Sequence, residues 1–209
     1  MVELLLKNMS LLNEYENKCW PNNKLVMGID EAGRGPLCGP LVVGCCVLPI
    51  GYNNDLINDS KKLSEKKREA LFEIIKKDAL FYQIEIVSPK EIDELNIYAA
   101  TKKAMSKLAL SYDTSLVLTD AMPIEDNDKV IPIIKGDAKS ISIAAASILA
   151  KVTRDHIMYE IDKQYPEYEY RKHKGYPTKR HIELMNEYGI FDIYRMSYGP
   201  CKNAKIRKM

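Results

Sequence analysis

The chain has few of the side chains that build soft metal centres or disulfide frameworks. It contains 5 cysteines and 3 histidines in 209 residues, and no two cysteines form a Cys-x-x-Cys pair. An odd number of scattered cysteines argues against a disulfide framework and against a thiolate zinc site, and it favours a reducing compartment. We therefore expect a cytoplasmic protein whose metal chemistry, if it has any, uses oxygen ligands.

The chain also lacks a long apolar run and a strong excess of either charge. The beginning, MVELLLKNMS, is too short in its apolar part for a signal peptide or a membrane span. The formal net charge is only +2, so nucleic acid would have to bind at local basic clusters. We expect a soluble monomer without membrane contact. The basic clusters are 61–68, 171–174, 179–180 and the tail from 202, each of which could also be a solvated face.

Apolar patterns and turn residues predict an α/β fold. Predicted strands cover residues 25–30, 41–48, 80–87, 115–119 and 130–134. Predicted helices follow Ser64, Ser88 and Thr178, and the one after Ser88 runs to about Leu110 with a break expected near Asn96. A long helix is predicted from 138 to about 161. This order predicts a mixed five-stranded sheet flanked by helices, followed by a small helical C-terminal extension.

Acidic residues occur where three of the predicted strands end. Asp30 and Glu31 end the first strand, Asp120 follows the fourth, and Asp137 follows the fifth. Strand ends of an α/β sheet meet at one rim, and alternation places Asp30 on a dry face. Hard carboxylate ligands indicate Mg²⁺ or Mn²⁺, and two such ions about 4 Å apart can promote in-line displacement at a phosphodiester.

Each acidic residue also has a purely structural explanation. Asp30 could form a buried ion pair with Arg34, Asp120 could belong to a turn, and Asp137 could cap the long helix. The occurrence of all of them at strand ends favours a metal site.

The segment Gly33-Arg34-Gly35 suits contact with nucleic acid. Glycine lets backbone groups approach a ribose 2′-hydroxyl, and Arg34 can hold the adjacent phosphate. Tyr176 could stack on the neighbouring deoxyribose. The alternatives are that the glycines only permit a tight turn and that Tyr176 is a core or hinge residue.

Six motifs resemble bacterial ribonuclease HII, a type 2 ribonuclease H family. They are Gly28–Leu37, Asp59–Ser64, Lys135–Asp137, Ser142–Ile148, Ala150–Asp155 and His173–Thr178, in order across about residues 25–202. The resemblance implies a ribonuclease H-like fold. We assign residues 1–23 to an N-terminal helix and linker, 24–165 to the catalytic core, and 166–209 to a substrate-binding extension.

The resemblance also implies an activity and the residues that perform it. The activity is endonucleolytic cleavage of RNA in RNA–DNA hybrids, and cleavage 5′ of a single ribonucleotide in duplex DNA, leaving 3′-hydroxyl and 5′-phosphate ends. Such incision belongs to DNA replication and ribonucleotide excision repair. The implied catalytic and metal-binding residues, with two Mn²⁺ or Mg²⁺ ions, are Asp30, Glu31, Asp120 and Asp137. The implied substrate-binding residues are Gly33, Arg34, Gly35, Ser60, Lys61 and Tyr176.

One pair of residues departs from the family pattern, and three alternative assignments compete. Ala121-Met122 follow Asp120 where many relatives have Gly-Asn, which predicts an altered loop with unchanged chemistry. The ribonuclease HIII subgroup has an N-terminal domain larger than residues 1–23 could form. A non-catalytic nucleic-acid-binding relative and another nuclease of the same superfold are the remaining alternatives. We interpret His156, His173 and His181 as surface residues or residues behind the site, because their spacing does not suit a metal.

Overall fold

A five-stranded mixed sheet forms the centre of the molecule. The computed structural model describes residues 13–57, 63–125 and 127–207. The strand order is β3-β2-β1-β4-β5; β1 pairs antiparallel with β2, as does β2 with β3, whereas β4 and β5 run parallel to β1. The predicted mixed sheet is therefore confirmed. The strands are β1 (Val26–Ala32), β2 (Leu41–Val47), β3 (Phe81–Val87), β4 (Leu116–Asp120) and β5 (Val130–Ile133).

The helices begin where the sequence predicts caps. Ser64, Ser88 and Thr178 each accept a hydrogen bond from the backbone N–H three residues later. Asn96 has φ +66° and caps the following helix, so the predicted break is confirmed. The helices are α1 (Glu16–Cys19), α2 (Glu65–Asp78), α3 (Pro89–Leu95), α4 (Ile97–Ala109), α5 (Ile141–Gln164), α6 (Tyr170–His173), α7 (Lys179–Tyr188) and α8 (Gly199–Lys202).

Strands β1 and β2 are buried on both faces, which explains their nearly continuous apolar sequences. On one face, Met27 and Ile29 pack in a cluster with Met105 and Leu108 of α4. On the other face, α5 and α2 cover the sheet and share a second apolar cluster. The central strand thus carries its terminal carboxylates to the edge of a dry core.

Helix α5 lies in direct backbone contact with the two central strands. A Cβ atom at Gly28 would lie 2.1 Å from the carbonyl carbon of Ser142, and one at Gly44 would lie 2.9 Å from the carbonyl oxygen of Ala146. Only glycine leaves room for this approach. The position of α5 relative to the end of β1 is therefore set by backbone atoms.

The long helix begins later than the sequence pattern predicts. Its first residue is Ile141, capped by Ser140, and a 3₁₀ turn occupies Gly136–Ala138. The N-terminal helix α1 contacts this helix start: Glu16 Oε1 accepts hydrogen bonds from Ser140 Oγ at 2.5 Å and from the Ser142 N–H at 3.1 Å. Residues 1–12 of the predicted N-terminal helix and linker lie outside the described residues.

The C-terminal residues pack against the loop between β1 and β2. Tyr168, Tyr170, Phe191 and Tyr194 form a buried cluster that includes Leu37 of that loop. Nowhere in the described ranges is a helix both long and apolar enough to cross a bilayer.

Candidate active site and substrate loop

Asp30, Glu31 and Asp120 come together at the ends of β1 and β4. Asp30 is buried, and its pKa is raised well above the ordinary value by burial and then by the charges of Glu31 and Asp120. A hydrogen bond from Ser147 and one from the Glu31 N–H, 2.7 Å from Oδ1, act in the opposite direction. The fold therefore concentrates negative charge around a carboxyl group that it holds in one orientation.

Arg34 forms an ion pair with Glu31. Its Nη1 lies 3.5 Å from Glu31 Oε1, and about half of the guanidinium side chain is exposed. The proposed structural alternative paired Arg34 with Asp30, and the observed partner is the other carboxylate. Arg34 is thus placed at the surface beside the acidic residues.

Asp120 is tied to the turn that carries Asp137. Its Oδ1 accepts a 2.8 Å hydrogen bond from the Gly136 N–H. Asp137 is buried in the 3₁₀ turn, so the expectation that it lies directly at a strand end is wrong, since β5 ends at Ile133. The alternative that Asp137 caps the long helix is also wrong, because Ser140 is the cap.

Ala121, directly after Asp120, adopts a left-handed conformation with φ +55°. Glycine adopts this conformation at no steric cost, whereas alanine is strained in it. The position where many relatives have glycine therefore keeps a conformation that favours glycine.

The acidic residues offer the right donor atoms for a divalent cation. In residues 13–57, 63–125 and 127–207, no three acidic, histidine or cysteine side chains converge closely enough to hold an ion as they stand. The donors are carboxylate oxygens, which Mg²⁺ and Mn²⁺ prefer, and a cation would relieve the repulsion that raises the pKa of Asp30. The chemistry of the set thus fits a divalent metal ion.

The Gly33-Arg34-Gly35 segment follows β1 directly and has no room for a larger residue at its first position. Gly33 has φ +102°, and a Cβ there would lie 2.2 Å from Nε of Arg154. At Gly35 the nearest atom to a Cβ would be Cε1 of Tyr176, at 3.5 Å. The predicted loop and the predicted tyrosine are therefore neighbours.

Tyr176 is 43% exposed, so the alternative that it is a core residue is wrong. The preceding Gly175 has φ +83°, and its carbonyl accepts a 2.8 Å hydrogen bond from the Leu37 N–H. This bond attaches the turn at Tyr176 to the loop after Gly35.

Two of the three histidines lie behind this turn. His181 Nδ1 is 2.9 Å from the carbonyl oxygen of Tyr176, and its ring stacks on His173 at 4.2 Å between centroids. Burial, and then the nearby His173, lowers the pKa of His181 to about 4. His156 lies at the surface, 2.9 Å from Glu69. His156 is thus a surface residue, and His173 and His181 lie behind the turn at Tyr176.

Three residues at the site escaped the sequence analysis, although two of them lie within motifs. Ser147 bonds Asp30, and Arg154 and Arg195 are buried beneath the Gly33 loop. Arg154 had a detectable signal, because it falls on the same helical stripe as Ala150 and Met158. Ser60 and Lys61 lie outside the described residues.

Comparisons with known proteins agree with this geometry. The family profile described as ribonuclease HII matches residues 27–201. The chain belongs to the ribonuclease HII family. It is therefore a type 2 ribonuclease H, a hydrolase that cleaves RNA paired with DNA.

Individual relatives support the same assignment over most of the chain. Ribonuclease HII of Caldanaerobacter subterraneus subsp. tengcongensis is 50% identical over 94% of this chain and 83% of its own length. Ribonuclease HII of Clostridioides difficile is 51% identical over 92% of this chain and 77% of its own length. The crystal structure of ribonuclease H2 from Pyrococcus horikoshii OT3 superposes with a TM-score of 0.70 at 30% identity, covering 85% of this chain and 95% of that chain.

Proposed function

We propose that this enzyme incises duplex DNA on the 5′ side of a single embedded ribonucleotide, as well as cleaving RNA–DNA hybrids. The observation that carries this proposal is the position of the Gly33-Arg34-Gly35 loop. The loop continues directly from the carboxylates of β1, and the exposed ring of Tyr176 lies beside Gly35. A group that recognises one ribose would thus lie next to the groups that act on its phosphate.

The proposed catalytic residues are Asp30, Glu31, Asp120 and Asp137, which would hold two Mg²⁺ or Mn²⁺ ions. When bound, such ions supply activation of water and stabilisation of the leaving 3′ oxygen. Ser147 and the Glu31 N–H keep the Asp30 carboxyl group in one orientation. The Gly136 N–H does the same for Asp120. The products would carry 3′-hydroxyl and 5′-phosphate ends.

The proposed substrate contacts come from the loop, from Ser60 and Lys61, and from the C-terminal extension, residues 166–209. The backbone of Gly33 and Gly35 would contact the 2′-hydroxyl, which is the only handle that distinguishes ribose from deoxyribose. Arg34 would hold the adjacent phosphate, and Tyr176 would stack on the next sugar. Ser60 and Lys61 would contact the nucleic-acid backbone. We propose that the enzyme acts as a cytoplasmic monomer in ribonucleotide removal.

The deciding experiment is a cleavage assay on duplex DNA that carries one ribonucleotide, with Mg²⁺ or Mn²⁺. We expect a single incision 5′ of that ribonucleotide by the unchanged chain and none by Asp30→Asn. The matched control is Asp113→Asn, because that carboxylate is almost fully exposed.

Two outcomes would contradict different parts of the proposal. Cleavage of long RNA–DNA hybrids without incision at the single ribonucleotide would refute the recognition of a single ribose by the loop and Tyr176. Turnover by Asp30→Asn at the unchanged rate would refute the assignment of the carboxylates.

A further inference from the structure

Two arginines are completely buried beneath the Gly33 loop without a carboxylate partner. Arg154 of α5 is 1% exposed and Arg195 of the C-terminal extension is 0% exposed. Within the described part of the chain, neither forms an ion pair with an acidic side chain, although Lys151 next to them does so with Asp155. A buried charge is costly unless hydrogen bonds and a counterion compensate it. These two have the hydrogen bonds and no directly paired carboxylate, because Asp155, whose charge raises the pKa of Arg154, is already paired with Lys151.

Arg195 binds the carbonyl groups of the loop. Its Nη2 donates to the Gly33 carbonyl at 2.6 Å, its Nη1 to the Arg34 carbonyl at 3.0 Å, and its Nε and Nη2 to the Gly39 carbonyl at 3.2 and 3.0 Å. The Tyr198 hydroxyl also donates to the Arg34 carbonyl, at 2.7 Å. The carbonyl oxygens of the loop are therefore directed into the protein.

Arg154 joins the same loop to the turn at Tyr176. It donates to the carbonyl groups of Cys38 at 3.2 Å, Pro40 at 3.0 Å and Lys174 at 3.0 Å. Because the fork of a guanidinium is rigid, these bonds fix the loop and the turn relative to each other.

The carbonyl groups of Gly33 and Arg34 are occupied by these bonds, whereas the backbone donors of the loop are not. The backbone N–H groups of Gly33, Arg34 and Gly35 have no hydrogen-bond acceptor among residues 13–57, 63–125 and 127–207. Successive N–H groups in a turn of this kind form a concave site for an anion. Arg154 and Arg195 lie behind these N–H groups and close to each other. Burial, and then the charge of Arg195, lowers the pKa of Arg154 to about 10.

We propose that Arg154 and Arg195 are positioning residues that turn the N–H groups of Gly33-Arg34-Gly35 outward, and that a substrate phosphodiester supplies the counterion that the two arginines lack. The inference rests on the proposed function only in taking the loop to be a substrate contact. It predicts that the arginines act on binding of the nucleic acid without touching it.

The test uses the RNA–DNA hybrid as substrate and compares Arg195→Lys with Arg195→Met. Lysine keeps the charge and loses the fork, whereas methionine loses both. Because lysine cannot make the forked hydrogen bonds to the loop carbonyls, we expect Arg195→Lys to raise KM at least about ten-fold with kcat changed by less than about three-fold. Arg195→Met should raise KM further. The matched control is Tyr168→Phe, which loses a buried hydrogen bond to the Gly189 carbonyl in the same cluster and should lower Tm without changing KM.

A milder variant keeps the test decisive if the arginine variants do not fold. Tyr198→Phe removes only a hydroxyl, which donates to the Arg34 carbonyl and accepts from Arg195 Nη1 at 3.1 Å, and it should raise KM about three-fold at unchanged kcat. An unchanged KM in folded Arg195→Lys and Arg195→Met, or in Tyr198→Phe where those do not fold, overturns the inference. A KM rise equal to that of Tyr168→Phe overturns it as well. Failure of single-ribonucleotide incision would refute the proposed function alone, because this test measures hybrid cleavage.

Discussion

Replacement of Gly28 by alanine should damage the active site from a position that carries no chemistry. Gly28 lies in the middle of β1, two residues before Asp30 and on the same face of the strand. An added Cβ would lie 2.1 Å from the Ser142 carbonyl carbon and 2.2 Å from the Ile143 nitrogen. Both obstacles are backbone atoms of α5, so no side chain can rotate away to make room.

The size of the effect follows from these distances. Non-bonded carbon atoms pack at about 3.5–4.0 Å, so β1 and α5 must separate by more than about 1 Å. Overpacking of this kind costs about 1–3 kcal/mol, and we expect the upper end of that range because two rigid elements must move. The same shift moves Ser147 of α5 away from Asp30, and a misplacement of about 1 Å in an active site can cost about a hundred-fold in rate.

The assay combines thermal unfolding with hybrid cleavage. Gly199→Ala is the matched control, because no atom lies within 4 Å of the place that its Cβ would take and its backbone is unstrained; Gly44→Ala, with a 2.9 Å contact to a carbonyl oxygen, should be intermediate. We expect the loss of stability and of kcat to increase in the order Gly199, Gly44, Gly28. A Gly28→Ala protein with unchanged Tm and kcat would refute the conclusion that backbone contact between β1 and α5 positions the carboxylates.

Four further predictions concern single residues. Asp30→Asn should stabilise the metal-free protein at pH 7 by about 1 kcal/mol, because the raised pKa of Asp30 indicates that the fold disfavours its charge. Thermal unfolding would measure this as a higher Tm, and a lower Tm would contradict it. Gly35→Ala should change the free energy of unfolding by no more than about 0.5 kcal/mol, since its Cβ meets only the Tyr176 ring at 3.5 Å. The same variant should raise KM if the substrate backbone approaches Gly35, and an unchanged KM would exclude that approach. Ala121→Gly should stabilise the protein by about 1 kcal/mol in urea unfolding, because φ is +55°, and a loss of stability would refute the strain. The free energy of unfolding should decrease by up to about 3 kcal/mol, from His181 alone, as the pH falls from 6.5 toward 4. In this range the unfolded chain binds a proton at His181, whereas the folded chain, with a His181 pKa of about 4, does not. Urea titrations of His181→Asn should lack this part of the slope.

The sheet could be predicted from the sequence because its central strands are covered on both faces. Residues 41–48 are almost entirely apolar, and the structure buries the strand Leu41–Val47 completely. The caps at Ser88 and Thr178 were detectable because capping depends on residues three positions apart. The convergence of Asp30 and Asp120 followed from the parallel pairing of adjacent strands.

The support of the substrate loop could not be predicted, because its hydrogen bonds join distant parts of the chain. Arg195 and Gly33 are 162 positions apart, and Arg154 and Pro40 are 114 apart. No local pattern specifies such a pair. The turn at Asp137 escaped prediction for a different reason: Lys135 adopts φ +58°, a conformation that the residue type does not signal.

Arg154 couples Gly33 to the turn at Tyr176, so the position of Tyr176 depends on the absence of a side chain at Gly33. A Cβ at Gly33 would occupy the place of Arg154 Nε, and the displaced guanidinium would release the Lys174 carbonyl, two residues before Tyr176. The Leu37–Gly175 hydrogen bond would be strained by the same movement, because it lies between these points. A change at the loop therefore reaches the tyrosine through a buried arginine, although the two are far apart in sequence. Since the C-terminal residues hold the loop in this way, the proposed ribose recognition depends on the core and the extension folding as one unit.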